Sequence, residues 1–153
     1  MSQVAENIDR LFSKLNHLYC NFETEAAKII AEELAALLGT PTPESISRYV
    51  YAWELIWEVR GNIEEAIRIA DLDIDRKRGE IESGDYDPYP EMLPEEVGYL
   101  RDAIYLQAER YNELGNSQKA IEYLNAGLAL TARYGIQPDN DTQLLLAKLT
   151  SPL

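Results

Sequence analysis

Tyr99-Leu100-Arg101-Asp102-Ala103-Ile104-Tyr105-Leu106-Gln107-Ala108-Glu109-Arg110-Tyr111, then Gly115-Asn116, then Ala120-Ile121-Glu122-Tyr123-Leu124, is the stretch that decides the fold. It reads as two helices in a hairpin. Gly115 can take the left-handed conformation that stops the first helix, and Asn116 can cap the second. A small side chain at Ala108 lets the second helix approach, Ala120 is the small residue facing it, and Tyr111 and Leu124 fill the space alongside.

Ala108, Tyr111 and Ala120 at this spacing resemble a tetratricopeptide repeat, W-x2-L-G-x2-Y…A-x3-F. Ile104 stands at the Trp position, Gln107 at the Leu position and Leu124 at the Phe position, and the Pro that the pattern places near Ala132 is missing. The resemblance covers roughly residues 47–133. It implies an all-α, right-handed α-α superhelix of about three hairpins with a C-terminal capping helix, and a role in protein-protein interaction.

Working outward, Val4, Ile8, Leu11, Leu15 and Leu18 carry the three-to-four spacing of an amphipathic helix. A second helix runs through Ile29, Ile30, Leu34, Leu37 and Leu38 to Gly39, with Ala27 in the role of Ala120. After Gly39-Thr40-Pro41, Thr42 is placed to cap a third helix with Pro43 at its first position. That helix carries Ile46, Val50, Trp53, Ile56 and Trp57 and stops at Gly61, where Asn62 and Glu65 have capping-box spacing. Superposing Gly61-Asn62 on Gly115-Asn116 brings Ala66 onto Ala120, Trp57 onto Tyr111 and Val50 onto Ile104, so two hairpins share one design. Their offset, residue 61 to residue 115, exceeds the family period of about 34. The excess falls after Ala70: a long fourth helix through Ile81, then Gly84-Asp85-Tyr86-Asp87-Pro88-Tyr89-Pro90, with seven acids and no Lys or Arg between Gly79 and Leu100. The hairpins are therefore expected at about 2–39, 43–84 and 95–135 within one domain, 1–153. A capping helix is expected at about 141–150, its leucines 144, 145, 146 and 149 covering the open end of the stack.

Net charge is −13, from 27 acids and 14 bases. Such a field repels phosphate backbones and anionic lipid, which argues against nucleic acid and membrane surfaces and favours a basic or amphipathic protein partner. No apolar run approaches the roughly 20 residues of a transmembrane helix, and the first ten residues lack the order of a signal peptide. A cytoplasmic location is the expectation, and the lone Cys20 agrees with it.

Catalytic chemistry finds few supports. His17 is the only histidine and has no nucleophile near it in sequence, and Cys20 reads as a small hydrophobe. Phosphate loops, paired-cysteine metal sites and Glu-x-x-His motifs are missing from the sequence, so no enzyme activity, catalytic residue, cofactor or metal is expected. Asp71, Asp73, Asp75 and Glu82 hold positions 1, 3, 5 and 12 of a calcium loop, but Arg76 occupies the position that needs Gly. A calcium-responsive protein is thus a minor alternative to acid and base pairs along a solvated helix.

The site implied by the resemblance is the groove lined by the first helix of each pair. Its matching positions are Arg48, Tyr51, Leu55, Glu58 and Val59 on the third helix and Asp102, Tyr105, Glu109, Asn112 and Glu113 on the fifth. Family members that grip a C-terminal carboxylate place Lys, Arg and Asn there; Tyr51, Leu55, Tyr105 and Glu109 point instead to an adaptor or chaperone for a basic or amphipathic segment. The alternatives are that both tyrosines merely pack beneath neighbouring helices, or that the chain is a structural homo-oligomer, such as a homodimer, that uses the last helix and the exposed aromatics on itself.

Overall fold

A computed structural model describes residues 2–151 and is all-α. Its elements are α1 (Gln3–Cys20), α2 (Thr24–Leu38), α3 (Pro43–Arg48), α4 (Val50–Val59), α5 (Ile63–Glu82), a 3-10 turn (Pro90–Met92), α6 (Leu93–Glu113), α7 (Ser117–Tyr134) and α8 (Asn140–Thr150). The chain forms two compact units, Met1–Asp73 and Ile74–Leu153, with the boundary inside α5. Among the described residues, no helix is long and apolar enough to cross a membrane.

The first unit is built on the expected periodicity. Ile8 and Leu15 of α1, Ala27, Ile30, Ala31 and Leu34 of α2, Ala52, Trp53, Leu55 and Ile56 of α4, and Ile69 of α5 form one buried core. Thr42 accepts a hydrogen bond from Ser45 N–H at 3.2 Å, with Pro43 in the first turn. The expected third helix is two helices, because Tyr49 leaves helical geometry at φ −124° and ψ 42°. Ser45 and Ser47 are weak helix formers, and at the bend the buried Trp53 donates Nε1–H to Ser45 Oγ at 3.2 Å. Half of the expected capping box forms: Asn62 Oδ1 accepts from Glu65 N–H at 3.1 Å. The Glu65 carboxylate turns to Arg68 instead, and Asn62 N–H is taken by the carbonyl of Trp57.

The second unit centres on the α6–α7 hairpin. Ala108 and Ala120 are fully buried, and Gly127 comes so close to α6 that a Cβ there would lie 3.6 Å from Ile104 Cγ2. Tyr111 and Tyr123 pack beside this seam with ring centres 5.3 Å apart and planes tilted by 36°. Gly115 has φ +80°, and the Asn116 side chain accepts from Lys119 N–H at 3.1 Å, as the sequence predicts. Gln107 is fully buried although polar, and it accepts from the buried Arg110 Nη1 at 2.8 Å.

The acidic insertion is folded. Helix α5 ends at Glu82 and α6 already starts at Leu93. Lys77 ties the two together through Glu96 at 2.6 Å and reaches the Tyr86 hydroxyl at 3.3 Å. Tyr86 and Leu93 pack on the core of Ile74, Ile81, Val97, Leu100 and Ile104. Helix α8 packs on α7, but of its residues only Thr142 is buried. Leu145, Leu146 and Leu149 are half-buried and Leu144 faces solvent, so the expected leucine cap is partial.

Candidate functional site

The sequence-derived groove residues fall into two sets in separate units, and they fare differently. On α4, Leu55 is 8% exposed and Val59 6%, and both belong to the core. Side chains so largely spent on packing leave little surface for a partner in a groove, and what Val59 does show lines a cavity with Tyr19 and Cys20. Arg48 is exposed on α3 with its guanidinium over the Tyr49 ring, and the bend at Tyr49 puts it on a different helix from Tyr51. Tyr51 stays exposed, packs edge-on against Phe12 at 4.8 Å and donates its hydroxyl to Asp9 Oδ1 at 3.4 Å. Burial first, then the Asp9 carboxylate, pushes its phenol above the usual range. Glu58 is half-exposed. Here the reading that the tyrosine serves packing has real support.

On α6 the expected set shares one side of a single helix. Asp102, Glu109 and Glu113 are exposed, and Tyr105 and Asn112 are half-buried. The spacing of three to four residues follows from about 3.6 residues per turn. Burial raises the Tyr105 phenol above its usual range, and the carboxylates of Glu109, Asp141 and Asp139 raise it further. The start of α8 therefore adds two acids that the sequence left unassigned. Arg101 positions that segment by donating Nη1–H to the Gln137 carbonyl at 3.0 Å, and its Nε lies 3.1 Å from Asp102 Oδ1.

Sequence reasoning missed the apolar members of the outer face of α6. Tyr99 and Leu106 are exposed there, and Met92 is exposed at the helix's N-terminal boundary. Tyr99 donates its hydroxyl to Glu95 Oε1 at 2.8 Å. Their seven-residue spacing was the available signal.

In the first unit, Tyr19, Cys20, Phe22, Thr24, Ala27 and Val59 line a cavity of about 330 Å³. Cys20 is a free, exposed thiol that lies 3.9 Å from Asn16 Oδ1. Asp71, Asp73, Asp75 and Glu82, the calcium-loop positions, lie on helix α5. A helix strings carboxylates along and around its axis at about 1.5 Å per residue, so they do not wrap an ion as a loop does. Among the described residues, no group of three or more His, Cys, Asp and Glu side chains is gathered to hold a metal.

Comparison with protein-family models, with curated proteins and with solved structures finds no match in any of the three.

Proposed function

We propose that this chain is a non-enzymatic protein-interaction module, an adaptor or chaperone that holds a basic or amphipathic segment of a partner protein on helix α6. The observation that carries the reading is the acidic surroundings of Tyr105: Glu109 on its own helix and Asp141 and Asp139 at the start of α8 raise its phenol, and Asp102 is exposed one turn before it on α6. An aromatic face among carboxylates attracts a Lys or Arg side chain through the ring and the charges together. The net charge of −13 steers a basic segment toward the protein and away from nucleic acid. The resemblance of the α6–α7 hairpin to a tetratricopeptide repeat supports the same role. A cytoplasmic location and a single repeat-like domain belong to this proposal.

The test is calorimetric titration of the full chain with a basic amphipathic peptide and with the same peptide carrying Glu for Lys. Each is measured at about 50 and about 300 mM salt, where screening shortens the reach of exposed charges. Binding of the basic peptide alone, weakened by salt and at least tenfold weaker for Tyr105→Ala with Glu109→Lys, supports the module. Equal binding of both peptides, or an unaffected variant of wild-type helicity, refutes it.

A further inference from the structure

The outer face of α6 carries two parallel rows with a repeat of seven. Met92, Tyr99 and Leu106, exposed by 41%, 57% and 38%, make an apolar row. Glu95, Asp102 and Glu109, each exposed and each three residues further on, make an acidic row beside it. Seven residues bring a helix back to nearly the same direction, with a drift of about 20°, so each row runs almost straight along the axis. Met92 has helical backbone angles, φ −84° and ψ −20°, and so keeps this register at the helix boundary. Every side chain inside the apolar row is thus flanked by a carboxylate.

From this geometry we propose that the occupant of α6 is itself a helix: a partner helix with an apolar row every seven residues and a Lys or Arg row next to it. This deepens the module reading above and rests on it. The repeat selects the shape. Along α6 the rows recur every 10.5 Å or so, at about 1.5 Å per residue. A partner helix with its own seven-residue pattern recurs at the same distance, so all three pairs meet in one register, as along a coiled-coil seam. An extended strand presents one face every second residue, about 6.6 or 13.2 Å apart, and fits neither. A polyproline helix repeats at about 9.3 Å and has slipped by more than 2 Å at the third position.

Charge selects the sign of the partner. A second copy of the chain would bring another acidic row to the seam and no basic row to answer it. A basic helix answers the carboxylates while its apolar row covers Met92, Tyr99 and Leu106, whose partial exposure leaves area to bury.

The deciding experiment measures fluorescence anisotropy with labelled peptides of about 21 residues, three heptads. One carries Leu and Lys rows at heptad spacing, and a second has the same composition with two central Pro residues that break the helix. Wild type is compared with Leu106→Lys and Tyr99→Lys, both exposed sites, after circular dichroism shows unchanged helicity. The expected result is binding of the helical peptide, weakened at least tenfold by either substitution and at least tenfold by the prolines. Equal binding of the proline peptide overturns the helical occupant and leaves the module standing. Unchanged binding by Leu106→Lys and Tyr99→Lys overturns the two-row site, and failure of both peptides refutes module and helix together. A concentration-dependent dimer in sedimentation that Leu106→Lys abolishes assigns the face to a second copy and overturns the basic partner.

Discussion

Replacing Gly127 with Ala is expected to stabilise the protein, although this glycine is buried on α7 against Ile104 of α6. Two terms decide the sign. Gly inside a helix is less favourable than Ala by roughly 0.5–1 kcal/mol, mainly because the unfolded chain loses less freedom with Ala. The opposing term would be a clash, but a Cβ at residue 127 meets Ile104 Cγ2 at 3.6 Å, an ordinary van der Waals separation. The added methyl should therefore fill space without moving α6. A gain of about 0.5–1 kcal/mol corresponds to a rise in Tm of about 1–4 °C for a chain of this size. Gly79→Ala supplies the reference, since it lies in α5 with nothing within 4 Å of the added carbon and reports helix propensity alone. Gly127→Val supplies the opposite sign: it adds two γ-methyls to a Cβ already in van der Waals contact with Ile104, and overpacking of this kind typically destabilises by about 1–3 kcal/mol. The assay is urea unfolding followed by far-UV circular dichroism, because both tryptophans, Trp53 and Trp57, belong to the first unit and would miss a change in the second. A gain for Gly79→Ala with a loss of 1 kcal/mol or so for Gly127→Ala would refute the 3.6 Å seam.

Ala120→Leu, a fully buried small residue in the same hairpin, is expected to destabilise by about 1–3 kcal/mol in urea unfolding, and an unchanged midpoint would count against close helix contact. Phe22, 90% exposed at φ +59°, sits in a conformation that disfavours ordinary side chains, so Phe22→Asn is expected to stabilise by roughly 0.5–1 kcal/mol. A destabilised Phe22→Asn protein would show that the ring makes contacts beyond the α1–α2 turn. The Glu96 carboxyl is held below its usual range by the hydrogen bond from Lys77. A group depressed in the folded state contributes stability above its unfolded pKa of about 4.3, and that contribution is lost as pH falls through the folded value. Unfolding followed from pH 7 to pH 3 should therefore show wild type losing more stability than Glu96→Gln on the acid side, and parallel curves would rule out this linkage.

Much of the architecture was legible because it depends on near neighbours in the chain. Thr42 with Pro43, and Gly115 with Asn116, each end or begin a helix as their own chemistry requires. The burial of Ala108 and Ala120 in the α6–α7 hairpin was legible for a related reason: a short loop forces two helices together, and small residues permit the approach. The break at Tyr49 escaped the periodicity, because Ile46, Val50, Trp53 and Ile56 keep a helical rhythm across it while the Trp53 indole bonds to Ser45. Of the candidate site, the α6 positions kept an exposed or half-exposed face, whereas Leu55 and Val59 went into the core. An apolar residue near a charged one reads alike whether it lines a groove or faces inward, and only the packing partners separate the two.

By itself, the sequence determined the all-α class, the capped helix ends and the acidic character of the chain, because propensity and capping act over a few residues and charge is read from composition. Only the tertiary structure decided which acids meet Tyr105. Asp139 and Asp141 lie more than thirty residues from it in the chain and reach it because α8 packs on α7 while Arg101 holds the Gln137 carbonyl. Contacts between residues so distant depend on how whole helices pack, and no local pattern of residues records that arrangement.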